Sequence, residues 1–226
     1  MAVLPEQDPV VEGLQHNMAR SSKNAIIVFQ KNLISGKVKT RLAKTLGDEV
    51  AMEIYRSLIK STYDEISKLK EVDIFIYLSD YVEELPFDIK GKIYKIHAQK
   101  GKDLGERMNE AFKDCFDHGY EKCLIIGTDC PEITAQDLQL ALDKLYFKDL
   151  VIGPAEDGGY YLLGIKKHTP SLFESINWST DQVMTSTIQK AEEQGLSYDK
   201  LKTLNDIDTE EDWKLYKLKK TNEQLP

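Results

Sequence analysis

No apolar run in the 226-residue sequence approaches the roughly 20 residues that a membrane-spanning helix needs. The first residues, MAVLPEQDPVVEG, lack the basic start and apolar centre of a secretion signal, so the cytoplasm is the expected compartment. Cysteine is scarce: Cys115, Cys123 and Cys130 form no CxxC pair, and their odd number argues against a complete disulfide framework. Reduced, structural thiols are expected. His16, His97, His118 and His168 show no paired metal-ligand spacing, and none adjoins a cysteine in a protease-like pattern. Neither a GxxxxGK[ST] loop nor a GxGxxG fingerprint is present, which removes two common phosphate-binding devices. Excess positive charge is also missing. With 30 Lys and Arg against 38 Asp and Glu, the net charge is −8, which argues against nucleic-acid or anionic-membrane binding driven by overall charge.

What the chain does have is the composition of a packed protein, 41% hydrophobic and 30% charged, far from the signature of disorder. Residues 1–23 carry scattered Pro, Gln and Ser without periodicity and read as a mobile leader; 24–220 read as one domain and 221–226 as a frayed tail. Short runs rich in β-branched and aromatic residues predict strands at 24–30, 72–78, 92–96, 123–127, 149–153 and 160–165. Between them, Val50, Ile54, Leu58, Ile66 and Leu69 predict a long helix introduced by Asp48. Further helices are expected over about 104–118, after Thr134 as a cap, and from Trp178-Ser179-Thr180 to Gln194, with Gly195 as the stop. Ser179 or Thr180 is expected to cap that last helix. Strands separated by helices imply an α/β fold with a mainly parallel sheet covered on both faces, and GYYLLG suggests one strand that departs from this order. Ligands of such sheets sit beyond the carboxyl ends of the strands.

Four motifs fall at such ends. FQKNLISGKVKTRLAKTLG follows the first strand; from Gly13 to Gly47 there is no acid, while Lys31, Lys37, Lys39 and Arg41 cluster there. Gly36 permits a tight turn before a helix start, whose free N–H groups attract anions; Lys37 and Arg41 are expected on one helix face, with Lys39 and Thr40 in the same turn. This pattern suits a diphosphate. A solvated basic helix face is the competing reading. Ending the strand in Phe29-Gln30 rather than an acidic pair argues against an aspartyl-phosphate phosphatase. In CLIIGTDCPEIT, a buried strand delivers Asp129 to its end, where a bound Mg²⁺ or Mn²⁺ would satisfy the carboxylate and Thr128 could orient the site. A turn-forming Asp is the alternative.

LNDIDTEEDW offers Asp206 and Asp208 as companions for Asp129 at a metal, although Asp208 with Glu211 also has capping-box spacing. VIGPAEDGGYYLLG sets Glu156 and Asp157 beside Gly158 and Gly159, which allow close backbone approach. Tyr160 and Tyr161 could stack on a sugar or base, and Asp157 or Glu156 could act as general base for an acceptor hydroxyl. A glycine-rich hairpin with solvated acids is the plainer reading.

In this order, FQKNLISGKVKTRLAKTLG, GTDCPEIT, GPAEDGGYYLLG, WST and LNDIDTEEDW resemble the bacterial glycosyltransferase-like family labelled DUF2064 over about residues 24–214. Its relatives include the 2-phospho-L-lactate and molybdenum-cofactor guanylyltransferases. The resemblance implies the nucleotide-diphospho-sugar transferase fold, also called glycosyltransferase A-type. It implies nucleotide phosphates on the Gly36–Arg41 loop, a metal on Asp129, and a second metal-side group at Asp208, with Asp206 a weaker match. The first loop lacks the LxAGGxSxRM pattern of well-defined nucleotidyltransferases, and GTDCP is not a DxD string. The leading expectation is a metal-dependent transferase using a nucleotide-activated sugar, with Lys37, Lys39 and Arg41 assisting the leaving diphosphate and Asp157 or Glu156 activating a small-molecule acceptor. Nucleotidyl transfer from a nucleoside triphosphate to a phosphorylated small molecule is the alternative, and a non-catalytic nucleotide-binding module the third.

Overall fold

A computed structural model describes residues 22–92 and 94–223. Almost all of the expected leader, with His16, lies outside the described residues, as do 224–226; the last helix runs to Glu223. The strands are β1 (Asn24–Gln30), β2 (Asp73–Leu78), β3 (Tyr94–Ala98), β4 (Lys122–Gly127), β5 (Leu150–Pro154), β6 (Tyr160–Ile165) and β7 (Tyr198–Lys200). The helices are α1 (Thr40–Leu46), α2 (Asp48–Ser67), α3 (Leu104–Asp117), α4 (Ala135–Lys144), α5 (Val183–Glu193) and α6 (Glu210–Glu223). No described helix is long and apolar enough to cross a membrane.

All seven strands join one sheet in the order β3-β2-β1-β4-β6-β5-β7. Every pairing is parallel except those of β6, which runs antiparallel to both β4 and β5. The cause is length: the 155–159 link is too short for a parallel crossover, which needs about a dozen residues or more. Alternation along the strands builds two cores. Ile26, Val28, Ile74, Ile76, Leu124 and Ile126 pack with α2 and α4 on one face. Ala25, Ile27, Phe75, Cys123 and Ile125 pack with α3 residues Met108 and Phe112 on the other. The three cysteines are buried and free, as structural thiols.

Several local expectations need correction. β3 begins two residues later than expected, and β7 carried too short a run to be foreseen. Asp149 holds β7 in place by accepting bonds from Ser197 N–H at 2.9 Å and Ser197 Oγ at 2.6 Å. These bonds, with Lys166, lower the Asp149 pKa to about 2. Val50 is 43% exposed because it lies in the first turn of α2, away from the buried stripe; Leu69 is buried but lies just past the helix end. Neither Ser179 nor Thr180 caps α5: Gln182 occupies the N-cap, and Thr180 Oγ1 donates to the Asn177 carbonyl instead. Thr134 does cap α4, in a reciprocal box with Asp137.

The stretch after β7 positions the site. Its backbone runs along the end of β5, with Leu201 N–H donating to Ile152 O and Leu204 N–H to Pro154 O, and Glu156 N–H returning a bond to Leu204 O. Ile207 N–H then crosses to the carbonyl of Asp129 at 2.9 Å. Asp206 and Asp208, which flank Ile207, are thereby carried to the end of β4.

Candidate functional site

Lys39 sits at the centre of the site. It is the N-cap of α1 with left-handed backbone angles (φ 46°, ψ 47°), rare for a residue with a side chain. Its side chain is only 4% exposed, and its ammonium lies 2.8 Å from Asp129 Oδ1 and 3.2 Å from Asp208 Oδ1. Burial lowers the Lys39 pKa, but Asp129 and Asp208 outweigh it and the net shift is upward, so Lys39 stays charged. Arg41, exposed on α1, reaches Asp208 Oδ2 at 3.4 Å. The basic motif after β1 and the acidic motifs after β4 and before α6 therefore meet in one place.

The capping ambiguity at Asp208 resolves one residue further along. Thr209 and Asp212 form the reciprocal box of α6: Asp212 N–H donates to Thr209 Oγ1 at 3.2 Å, and Thr209 N–H to Asp212 Oδ2 at 2.7 Å. Asp208 and Glu211 are not the box, which leaves the Asp208 carboxylate to the site. Asp206 is partly buried beside it, and its pKa is pushed up to about 7. Burial is the main cause and the charge of Asp129 the next; Lys39 opposes them, while Asp157 and Asp208 add to the rise.

Other predicted residues are distributed less simply. Gly36 adopts φ 75° in the turn, as expected. Lys37 lies in that turn and not on α1, which starts at Thr40, so Lys37 and Arg41 do not share a helix face. Lys31, Lys37, Thr40 and Arg41 are exposed, whereas Thr128 is buried. Glu156 and Asp157 are exposed; Asp157 Oδ1 accepts the Gly159 N–H at 2.9 Å, and its charge is felt at Asp206. The close approach at Gly158 is internal. With φ 87°, it leaves no room for a Cβ against the Asp181 backbone, and its carbonyl accepts Met184 N–H from α5. Tyr160 packs against the α3-side core with its hydroxyl towards Met108, and buried Tyr161 donates to Lys202 O at 3.0 Å. Neither ring is presented to a ligand, because an antiparallel strand central to the sheet turns both faces onto core.

Two structural features had no motif to announce them. Tyr55, buried on α2, accepts Lys31 N–H at 2.8 Å and lies 3.0 Å from Thr128 Oγ1, so one hydroxyl ties the loop after β1 to the loop after β4. Burial, then Asp129, pushes its pKa far up, so the hydroxyl keeps its proton and shares a hydrogen bond with Thr128. Tyr55→Phe should lower stability by about 1–2 kcal/mol and Tm by about 3–6 °C, because the Lys31 N–H loses its partner. Thermal denaturation checks this, and an unchanged Tm would show that the bridge does not hold the loops. The second feature is a cavity of about 220 Å³ at the ends of β1 and β2, lined by Lys31, Asn32, Ile34, Lys37, Val38, Ser79 and Asp80. Ser79-Asp80 at the end of β2 was a readable signal, since strand ends in such sheets bind ligands.

This strand order, with charged loops gathered after β1 and β4, defines a nucleotide-diphospho-sugar transferase fold of the glycosyltransferase A type. A solved structure of a provisionally named nucleotide-diphospho-sugar transferase from Desulfovibrio desulfuricans G20 has a TM-score of 0.79 and 34% identity, covering 90% of this chain and 89% of that one. The chain belongs to the family described as uncharacterized protein conserved in bacteria (DUF2064), which it matches over residues 62–180. Asp129 and Asp157 lie within that span; Lys39, Arg41, Asp206 and Asp208 lie outside it. A 2-phospho-L-lactate guanylyltransferase of Methanothermobacter thermautotrophicus is 25% identical over 77% of this chain and 76% of its own length. That of Methanocaldococcus jannaschii is 32% identical over 57% of this chain and 54% of its own. These similarities place the chain among the transferases.

Proposed function

We propose that the protein is a nucleotidyltransferase that joins a nucleoside triphosphate to a phosphorylated small molecule with release of pyrophosphate. The observation that carries this reading is the Lys39 ammonium held between Asp129 and Asp208 with Arg41 alongside. That arrangement sets cations and cation-binding carboxylates at one strand end. The names of the guanylyltransferase relatives support the reaction class.

Among the described residues no three His, Cys, Asp or Glu side chains form a ready metal cage. Mg²⁺ does not need one: it is commonly held by one or two carboxylates together with substrate phosphates. Asp129 and Asp208 offer hard oxygen donors, and the carboxyl of Asp206 lies close enough to interact with both of them and with Asp157. These residues fit Mg²⁺ or Mn²⁺, which Asp129 and Asp208 would hold and which, when bound, would offset charge on the phosphates. In the reaction, an acceptor phosphate oxygen bonds to the α-phosphorus while the bond to the bridging oxygen breaks and its electrons leave with pyrophosphate. Lys37 and Arg41 are placed to bind the leaving group. Lys39 holds Asp129 and Asp208 in register.

A second reading, transfer of a sugar from a nucleotide-sugar donor, is favoured by the Desulfovibrio protein. The two differ in their need for a base. A phosphate monoester has a second pKa of about 6 and attacks as an anion, whereas an acceptor hydroxyl must lose its proton. Asp157→Asn keeps an oxygen for the Gly159 N–H, so it tests the base alone. Nucleotidyl transfer predicts pyrophosphate release, changed less than about threefold by this variant. Sugar transfer predicts nucleoside diphosphate release, lowered about 100-fold or more. Assays of both products with Mn²⁺ separate the two, and ligand binding without either product would leave a non-catalytic binding module.

A further inference from the structure

A larger cavity, of about 380 Å³, lies between α2 and α6 and falls within the size range of small-molecule sites. It shares no residue with the transfer site, although Pro131 in its wall lies two residues past Asp129 and α6 opens two residues past Asp208. Buried Leu58 of α2 and buried Pro131 make an apolar floor, and Trp213 and Tyr216 of α6 close one side. In a chain of net charge −8, no Asp or Glu lines this cavity, whereas Lys217 and Lys220 do. Neighbouring lysines of α6 are committed to carboxylates: Lys214 lies 2.6 Å from Glu210, and Lys219 lies 3.0 Å from Glu132. Lys217 and Lys220 have no carboxylate partner among the described residues. Each ammonium sits over a ring instead, Lys217 at 5.5 Å from the Trp213 centroid and Lys220 at 5.1 Å from that of Tyr216. A ring face holds a cation in place without consuming all its N–H donors. Three residues apart on one helix face, the two lysines can therefore bind a single anion together.

We infer that this groove is a ligand site apart from the transfer centre and that it takes a small amphipathic anion. One carboxylate, sulfonate or phosphate group would sit on Lys217 and Lys220, and an apolar body the size of a fused-ring system would cover Leu58 and Pro131. An inorganic anion would leave that floor uncovered, and a neutral apolar molecule would leave both ammoniums without a counter-charge. The inference is independent of the reaction proposed above, because the binding it describes involves neither nucleotide nor metal.

The probe 1-anilinonaphthalene-8-sulfonate carries this combination of groups and fluoresces when removed from water. Titrated into the full chain with a chelator present, it should bind saturably. Replacing both lysines, Lys217→Gln with Lys220→Gln, should weaken it by about tenfold or more, since charge-assisted hydrogen bonds are lost. Ser57 lines the cavity from an exposed position on α2. Ser57→Trp should therefore abolish binding by filling the space while both lysines remain. Lys214→Gln removes a charge from α6 outside the cavity and should change the affinity less than about twofold. Tm serves as the control for folding, and either groove variant decides the matter if the other fails to fold. Equal affinity in the wild type and the groove variants would overturn the inference, as would a folded wild type that shows no saturable binding. Probe binding that falls as protein concentration rises, with dimers in sedimentation, would overturn it too and give the groove to a second copy of the chain.

Discussion

Lys39→Met is expected to lower Tm by about 5–10 °C, a loss of about 2–4 kcal/mol, and turnover by at least about 100-fold. The side chain is 4% exposed and pairs with two carboxylates, and methionine fills the same volume without charge. Removing one member of a buried pair typically costs about 3–5 kcal/mol; Asp129 and Asp208 retain 34% and 42% exposure, so water screens part of that penalty. The missing ammonium leaves Asp129, Asp206 and Asp208 facing one another. A divalent ion can take over part of its role, so Mn²⁺ should raise the Tm of the variant by more degrees than that of the wild type. Scans with Mn²⁺ and with a chelator decide the matter. Equal response in the two proteins would show that the carboxylates around Lys39 do not form a cation site.

Asp129→Asn should do the opposite to stability while removing function. Asparagine keeps an oxygen that accepts from Lys39, Lys39 keeps Asp208, and one charge is withdrawn from beside Asp206, whose pKa burial first and Asp129 second raise to about 7. Without metal, Tm should stay within about 2 °C of the wild type or rise. Turnover should fall by about 1,000-fold, and Mn²⁺-dependent nucleotide binding should be lost with it. Calorimetric titration of nucleotide with Mn²⁺ tests the binding half. Unchanged affinity would remove Asp129 from the metal site and with it the transfer chemistry proposed here. The contrast between the two variants matters more than either alone: a merely structural ion pair would lose stability from whichever side it is broken.

Much of this molecule is written in short stretches of chain. NAIIVFQ is a buried central strand because a continuous β-branched run can satisfy two covered faces, and Thr134 caps α4 because its hydroxyl and the Asp137 carboxylate reach each other's backbone N–H groups. The residues that carry charge at the strand ends were legible for the same reason, since the acid-free run around Lys31–Arg41 and the Asp129 turn are local features. Their roles were less so. Whether Asp208 caps a helix or faces a cation depended on Thr209 capturing Asp212 first. Tyr160 and Tyr161 read as ligand-facing aromatics until β6 was inserted antiparallel between β4 and β5, which gave both rings to the interior.

Strand and helix identities and the charge of each loop follow from neighbours in the chain, because periodicity, capping and turn geometry act over a few residues. The burial of Lys39 does not, since its partner Asp208 lies 169 residues away. Only the sheet order brings them together, through the backbone bond from Ile207 to Asp129, and burial then turns a lysine that composition would place in solvent into the ammonium that pairs with Asp129 and Asp208 at once.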